Sequence, residues 1–198
     1  MIDVLLSTFQ SENYLSEQLD SLFNQDFNDW RLIIRDDGST DSTVKIIQSY
    51  KDICGDKIKL IENLEGNIGL IKSFERLMTY SESPYIMFCD HDDVWLPSKI
   101  RLTYEKMIEV ESIHKDKPVL IHTDLCVVNS QLQMLNESFW AYSKINPAVL
   151  ITFNYLAVCN AVTGCTLMIN RYAKMSCLPF SPNAVMHDSW IALNVSKV

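Results

Sequence analysis

The chain has 198 residues, 47% of them hydrophobic and 21% charged. This is enough to bury one core but short for two, so we expect a single domain over residues 1–198. With 17 Lys and Arg against 25 Asp and Glu, the formal net charge is −8. This charge disfavours unspecific binding of nucleic acid or anionic lipid. A phosphate ligand would need a metal ion or local hydrogen-bond donors.

The first predicted elements are a strand, a polar loop and a helix. The apolar run at residues 4–6 has no basic region before it, which indicates a strand rather than a secretory signal. Apolar residues then recur at helical spacing: Leu15, Leu19, Leu22 and Phe23. No apolar run approaches the roughly 18 to 20 residues of a membrane span, so we expect a cytoplasmic protein.

Two further rounds of strand, loop and helix follow. Residues 32–34 form the second predicted strand, and a helix follows with Thr40 or Asp41 as its N-cap. Residues 58–61 form the third strand, and a loop with two glycines leads into a helix over residues 71–78. Strands that alternate with helices in this way predict right-handed crossovers and a parallel α/β sheet.

The fourth predicted strand, residues 85–89, stops at the densest charge cluster of the chain: Asp90, Asp92 and Asp93. Pro97 predicts the first turn of the following helix, which continues to residue 111. A fifth strand is predicted over residues 119–124.

The C-terminal third is less regular. Residues 131–146 are mostly polar and indicate a surface excursion or an acceptor-side loop, and residues 162–169 predict a later strand. Residues 186–195 predict a helix. Because the chain ends one or two turns into that helix, we expect it to be part of a longer protein that continues at the C-terminus.

The chain has six cysteines and no CxxC pair, so neither a disulfide scaffold nor a zinc site is predicted. Cys89, Cys126 and Cys165 lie inside apolar runs. We expect them to be buried thiols.

Polar clusters follow three of the predicted parallel strands, at residues 7–9, 36–37 and 90–93. Ligands of open α/β sheets bind at the carboxyl ends of the strands, so these clusters predict a site. The missing GxGxxG and GxxxxGK[ST] patterns disfavour dinucleotide oxidoreductases and P-loop nucleotidases. Carboxylates that hold Mg²⁺ or Mn²⁺ would make a diphosphate clamp. Taken singly, the second cluster also suits a turn, and the third a solvated loop or a helix cap.

Together, the clusters and their order resemble a bacterial family-2 glycosyltransferase of the GT-A fold. The resemblance covers essentially the whole chain and rests on these segments: residues 4–9, 14–15, 18–22, 25, 36–41, 67, 69 and 90–95. Residues 163–165 and the pair His187-Asp188 favour the rhamnosyltransferase-like branch. Gln10 stands where the family more often has Asn.

The resemblance implies an α/β fold of the GT-A type, with a Rossmann-like, mostly parallel sheet flanked by helices. It also implies a metal-dependent inverting enzyme that moves a sugar, rhamnose in this branch, from a nucleotide-diphosphate donor to an acceptor hydroxyl. The acceptor would be a cell-surface polysaccharide or a lipid-linked glycan. The full-length protein would then work at the inner face of the cell membrane.

Roles follow from the resemblance for matching positions. Ser7, Thr8 and Phe9 would line the nucleotide base, and Asp37, with Asp36 beside it, would accept a hydrogen bond from the base imide N–H. Asp92 would bind the Mn²⁺ or Mg²⁺ ion directly. Asp90, the second candidate ligand at the metal site, would contact the ribose or a metal-bound water. Lys72 would meet a phosphate, although an exposed helix lysine is ordinarily only solvated.

The resemblance makes Asp188 the catalytic base that takes the proton of the acceptor hydroxyl. A helix N-cap is the alternative for Asp188, and His187 is a metal ligand, a hydrogen-bond orienter or a loop residue. Two other functions stay open. A noncatalytic nucleotide-sugar-binding domain would not need Asp188, and a sugar nucleotidyltransferase is disfavoured because residues 7–13 contain no basic side chain.

Overall fold

A computed structural model describes residues 1–149, 152–158 and 160–197 of the chain. The strands in these residues are β1 (Ile2–Thr8), β2 (Trp30–Asp36), β3 (Ile58–Leu60), β4 (Tyr85–Cys89), β5 (Leu120–His122), β6 (Val127–Val128), β7 (Met134–Asn136) and β8 (Leu167–Asn170). The helices are α1 (Leu15–Phe23), α2 (Thr43–Cys54), α3 (Leu70–Tyr80), α4 (Lys99–Ile113), α5 (Phe139–Tyr142), α6 (Phe153–Leu156), α7 (Arg171–Cys177) and α8 (His187–Val195).

Six strands form one sheet in the order β3-β2-β1-β4-β8-β5. The first four in this order run parallel, and β8 is antiparallel to both β4 and β5. The predicted α/β fold with a mostly parallel sheet is therefore confirmed. In the register, Thr8 pairs with Asp36 and Leu6 with Cys89, so β1, β2 and β4 end at the same edge of the sheet.

The core lies on both faces of this sheet. Because successive strand side chains point to opposite faces, Val4 and Leu6 pack with α1, α2 and α4, whereas Leu5 packs with α3, α7 and α8. Burial on both faces explains why the parallel strands are continuous apolar runs rather than alternating ones.

Two predicted helix starts are wrong by one or two residues. The N-cap of α2 is Ser42 rather than Thr40 or Asp41, although the Asp41 carboxylate accepts the Thr43 N–H at 3.0 Å. The N-cap of α4 is Ser98, so Pro97 precedes the helix instead of beginning it.

The later strand is shorter than predicted. Residues Gly164–Thr166 form a 3₁₀ turn, and only Leu167–Asn170 join the sheet. The Thr166 hydroxyl donates to the Thr163 carbonyl at 2.7 Å, and such local bonds offer the backbone an alternative to the strand ladder. The predicted fifth strand is also shorter in the structure, and Val119, Thr123 and Asp124 lie outside β5.

The surface excursion predicted for residues 131–146 is confirmed. It contains β7, which pairs antiparallel with β6, and the short helix α5. Most of its side chains are exposed, including Leu132, Met134 and Leu135.

Cys89 and Cys165 are buried as predicted, but Cys126 is exposed because it lies in the connection between β5 and β6, away from the core. Cys159 lies outside the described residues. Within the described ranges, no helix has both the length and the apolar character that crossing a membrane requires.

Candidate active site

The polar clusters predicted from the sequence meet at the carboxyl edge of the sheet. The Thr8 hydroxyl donates to the Asp36 carboxylate at 3.0 Å, and the Asp37 N–H donates to the Thr8 carbonyl at 2.8 Å. Asp90 directly follows β4, which is the other neighbour of β1. The predicted convergence of the three strand ends is therefore present.

Asp36 holds the turn that follows β2. Its Oδ2 accepts the N–H groups of Gly38 at 3.1 Å and Ser39 at 2.8 Å, while Oδ1 accepts the Thr8 and Ser39 hydroxyls. The side chain is buried. The turn interpretation of this segment therefore accounts for Asp36.

Asp37 anchors the loop of residues 63–69. Its Oδ1 accepts the Ile68 N–H at 2.9 Å, its Oδ2 accepts the Gly69 N–H at 2.8 Å, and Arg35 forms an ion pair with it. A base imide would have to share this carboxylate with the loop.

The other nucleotide-site candidates differ in how accessible they are. Phe9 is 46% exposed at the edge of the sheet, and Lys72 is exposed in the first turn of α3. Ser7 is buried, and its hydroxyl donates to Ser73 Oγ at 2.7 Å. Phe9 and Lys72 are thus free to meet a ligand, whereas Ser7 mainly ties β1 to α3.

The acidic segment after β4 forms a concentrated negative site. Ligand atoms of Asp90, Asp93 and Cys165 all lie within 4.8 Å of one another, and Asp92 is more exposed. Burial, together with the negative charges of Asp93, Asp92 and Asp188, raises the pKa of Asp90 to about 7. Asp188 therefore faces the same site as Asp90.

This donor set fits a divalent cation. Carboxylate oxygens are the ligands that Mg²⁺ and Mn²⁺ prefer. Burial and the neighbouring negative charges both disfavour the charged form of Asp90 and so raise its pKa. A bound cation would offset the repulsion among these carboxylates. Asp93, and not Asp92, belongs to the group whose ligand atoms lie within 4.8 Å of one another, so Asp93 joins the two predicted ligands as a candidate.

Polar side chains of α1 hold the acidic segment in place. Gln18 Nε2 donates to Cys89 Sγ at 2.7 Å, and the Trp95 N–H donates to Ser21 Oγ at 3.0 Å. Gln25 Nε2 donates to the Leu96 carbonyl at 2.8 Å. Two buried polar residues of α1, Gln18 and Ser21, and the buried Gln25 just after the helix thus bracket the segment at both ends.

Asp188 lies in the first turn of α8. The N-cap is Met186, so the alternative that Asp188 is the N-cap is wrong. Its Oδ1 accepts both the N–H and the hydroxyl of Ser189, and among the described residues hydrogen bonds reach only this oxygen. Oδ2 is the oxygen left to accept a proton.

His187, beside Asp188, is buried against two aromatic rings. It is 2% exposed and stacks on Phe74 at 4.1 Å and on Phe88 at 5.5 Å between ring centroids. Burial lowers the pKa of His187 below its usual range, against the opposing charge of Asp188. Neither ring nitrogen has a hydrogen-bond partner in the described part of the chain.

Gly164 makes room for this arrangement. A Cβ at Gly164 would lie 2.6 Å from His187 Nε2 and 3.6 Å from Asp188 Oδ2. A side chain at this position would therefore collide with the imidazole ring of His187, the residue before the candidate base Asp188.

Sequence reasoning missed Arg35 and Asn63 as members of the site, and it placed Asp93 in the acidic cluster without a role of its own. The signal for Arg35 was a charged residue at the end of an apolar run, which must find partners when it is buried. Asn63 carries no comparable signal, because its partners come from a different strand.

Residues 3–116 match the model of the family described as glycosyl transferase family 2. The chain is 30% identical over 119 residues to the putative glycosyltransferase EpsE of Bacillus subtilis, covering 60% of the chain and 41% of EpsE. It is 25% identical over 109 residues to WfgD of Escherichia coli, a UDP-Glc:alpha-D-GlcNAc-diphosphoundecaprenol beta-1,3-glucosyltransferase, covering 55% of the chain and 42% of WfgD. The matches thus span about two fifths of these curated relatives.

Among solved structures, the 1–349 segment of Staphylococcus aureus TarS in complex with UDP is similar, with a TM-score of 0.55 and 26% identity. The match covers 65% of this chain and 36% of that one.

Proposed function

The chain belongs to glycosyl transferase family 2, and we propose that it is the donor-binding and catalytic part of a metal-dependent, inverting glycosyltransferase. The observation that carries the proposal is the meeting of two acidic elements in one site. The segment after β4 supplies Asp90 and Asp92 for a cation, and α8 supplies Asp188 on the same side of the sheet.

The proposed donor is a nucleoside-diphosphate sugar. TarS, a relative in both fold and sequence, binds UDP, and UDP is therefore the first nucleotide to test. Rhamnose is the proposed sugar, because residues 90–95, 163–165 and 187–188 resemble the rhamnosyltransferase-like branch of the family. WfgD acts on a diphosphoundecaprenol-linked sugar, which supports a lipid-linked or cell-surface glycan as acceptor and a place at the cytoplasmic face of the membrane.

Asp188 is the proposed general base. The acceptor hydroxyl attacks the anomeric carbon from the face opposite the nucleotide, its proton passes to Asp188 Oδ2, and the bond from the anomeric carbon to the phosphate oxygen breaks. The configuration at that carbon is thereby inverted. The two hydrogen bonds from Ser189 hold Oδ1 and so fix the direction in which Oδ2 points.

Asp90 and Asp92 are the proposed ligands of Mn²⁺ or Mg²⁺. When bound, the ion supplies positive charge to the departing diphosphate as a Lewis acid. Some carboxylates must bind the cation, whereas the carboxylate that acts as base must stay free of it. Asp188 lies on α8, outside the segment that follows β4, and is therefore separate from the proposed metal ligands.

Nucleoside diphosphates should stabilise the protein only together with Mn²⁺ or Mg²⁺. A ligand at 100 times its Kd adds about 2.7 kcal/mol to the free energy of unfolding. For a chain of this size, this corresponds to a Tm increase of roughly 5 to 10 °C. The measurement is a thermal-shift panel of UDP, dTDP and GDP, each with Mn²⁺, with Mg²⁺ and with EDTA.

Two results of this panel contradict the proposal. One is a shift of equal size in EDTA, and the other is no shift with any of the three nucleotides. Mn²⁺ without nucleotide is the control, because it separates stabilisation by the ion from stabilisation by the complex.

A further inference from the structure

Arg35, the next-to-last residue of β2, is a buried arginine whose two terminal nitrogens are both hydrogen-bonded. It is 2% exposed and forms an ion pair with Asp37. Its Nη1 donates to Ser73 Oγ at 3.2 Å, and its Nη2 donates to Asn63 Oδ1 at 3.0 Å and to the Gly66 carbonyl at 3.1 Å. One guanidinium thus binds four acceptors.

These acceptors lie on three separate parts of the candidate nucleotide site. Asp37 follows β2, and Ser73 lies on α3, where it also accepts the hydroxyl of Ser7 at 2.7 Å. Asn63 and Gly66 belong to the loop of residues 63–69. Arg35 therefore connects the predicted base-contacting residues to this loop.

The loop lies directly against the turn that follows β2. A Cβ at Gly38 would be 3.4 Å from the Asn67 nitrogen, and the Asp37 carboxylate accepts two N–H groups of the loop. On its outer side, Glu65 of the loop pairs with Arg76 of α3 at 2.7 Å, but both side chains are about half exposed. The buried contacts of Arg35 are the stronger constraint, since exposed ion pairs contribute little.

We propose that Arg35 is a positioning residue for donor binding, which fixes residues 63–69 as one wall of the pocket for the nucleotide base. The inference rests on the proposed function, because it takes the carboxyl edge of the sheet as the donor site. It assigns to Arg35 and Asn63 a role in donor affinity and none in the transfer of the proton.

Arg35 acts on donor affinity through the conformational populations of the loop. Without the guanidinium, the loop keeps its bonds to Asp37 but loses its buried link to Ser73 of α3 and the contacts at Asn63 and Gly66, so it samples other conformations. If the binding-competent conformation falls to roughly a tenth of the molecules, the apparent Kd rises about tenfold. Lysine cannot replace arginine here, because a single ammonium group lacks the planar, spaced N–H donors with which the guanidinium reaches acceptors on different elements.

Two variants and one matched control test the proposal. Arg35→Lys keeps the charge and loses the planar set of N–H donors. Asn63→Ala removes the acceptor of Arg35 at a half-buried loop position, together with the side-chain bonds of Asn63 to the Asp36 carbonyl and the Glu65 N–H. The control is Arg31→Lys on the same strand, because Arg31 pairs with the buried Asp3 at 2.9 Å near the opposite edge of the sheet. All three lose an arginine contact, and only the first two touch the loop.

The Kd is measured by titration calorimetry with UDP and Mn²⁺, or with dTDP or GDP if the thermal-shift panel selects one of them. Arg35→Lys and Asn63→Ala should each have a Kd about tenfold higher than that of the wild type. Arg31→Lys should lower the Tm and leave this Kd unchanged. In the transfer reaction, the donor KM should rise with the Kd, while kcat stays within about threefold.

An unchanged Kd for Asn63→Ala overturns the proposal, and this holds even if Arg35→Lys does not fold. A rise in Kd for Arg31→Lys equal to that for Arg35→Lys also overturns it, because the effect would then follow general destabilisation. A wild-type protein that binds none of the three nucleotides contradicts the proposed function instead.

Discussion

Replacing Asp188 with asparagine should reduce sugar transfer by about 100- to 10,000-fold, the usual contribution of a general base. Asparagine has nearly the same shape as aspartate and can keep the bond from the Ser189 N–H, so the first turn of α8 should be preserved. It cannot accept the proton of an acceptor hydroxyl. The affinity for nucleoside diphosphate and Mn²⁺ should stay within about twofold, because the variant leaves Asp90 and Asp92 in place.

The measurement compares kcat and donor affinity in the full-length protein. Asp116→Asn is the control, because Asp116 lies in the loop after α4, where its carboxylate bonds to Tyr172. Retained transfer by Asp188→Asn would show that Asp188 is not the base. Joint loss of transfer and nucleotide binding would show that its role is structural.

Replacing Gly164 with alanine should damage both stability and catalysis. The new Cβ would lie 2.6 Å from His187 Nε2 and 2.8 Å from Cε1, and the ring cannot move freely because Phe74 and Phe88 stack on it. Overpacking of this kind costs about 1–3 kcal/mol. A shift of the neighbouring Asp188 by about 1 Å would lower transfer by roughly 100-fold.

A double-mutant cycle separates this collision from other effects. His187→Ala removes the ring that the new methyl group meets, so Gly164→Ala should destabilise the His187→Ala background much less than the wild type. The coupling energy from chemical denaturation should be at least about 1 kcal/mol. Additive effects would show that the contact between Gly164 and His187 does not constrain this region.

The sequence predicted the fold well where the signal was local. Apolar runs gave the parallel strands β1 to β4, and helical spacing gave α1 to α4. Helix starts were less accurate. Ser42 competes with Thr40 and Asp41, which have similar capping propensity, and Pro97, which suits the first turn of a helix, instead precedes the N-cap Ser98. The segment at residues 162–166 reads as a strand by composition, but the Thr166 hydroxyl bonds its own turn.

The candidate site was predicted only in outline. Three clusters at strand ends were enough to place Asp37 and Asp90 at one edge of the sheet. Their detailed roles depend on contacts between distant parts of the chain, such as Arg35 with Asn63 or Gly164 with His187. Neither residue spacing nor propensity encodes these pairs, and a buried charge reveals only that a partner must exist.

The most direct test of the central claim is electron paramagnetic resonance of Mn²⁺ titrated into the protein with UDP, or with the nucleoside diphosphate that the thermal-shift panel selects. Bound Mn²⁺ loses the sharp signal of the free ion, so the measurement counts the ions that the site holds. Wild-type protein should bind one Mn²⁺ in the presence of the nucleotide, as should the control Glu109→Gln, which changes an exposed carboxylate near the end of α4. Asp92→Asn should bind at least tenfold more weakly, as expected for the loss of a ligand. Equal Mn²⁺ binding by Asp92→Asn and the wild type would contradict the account.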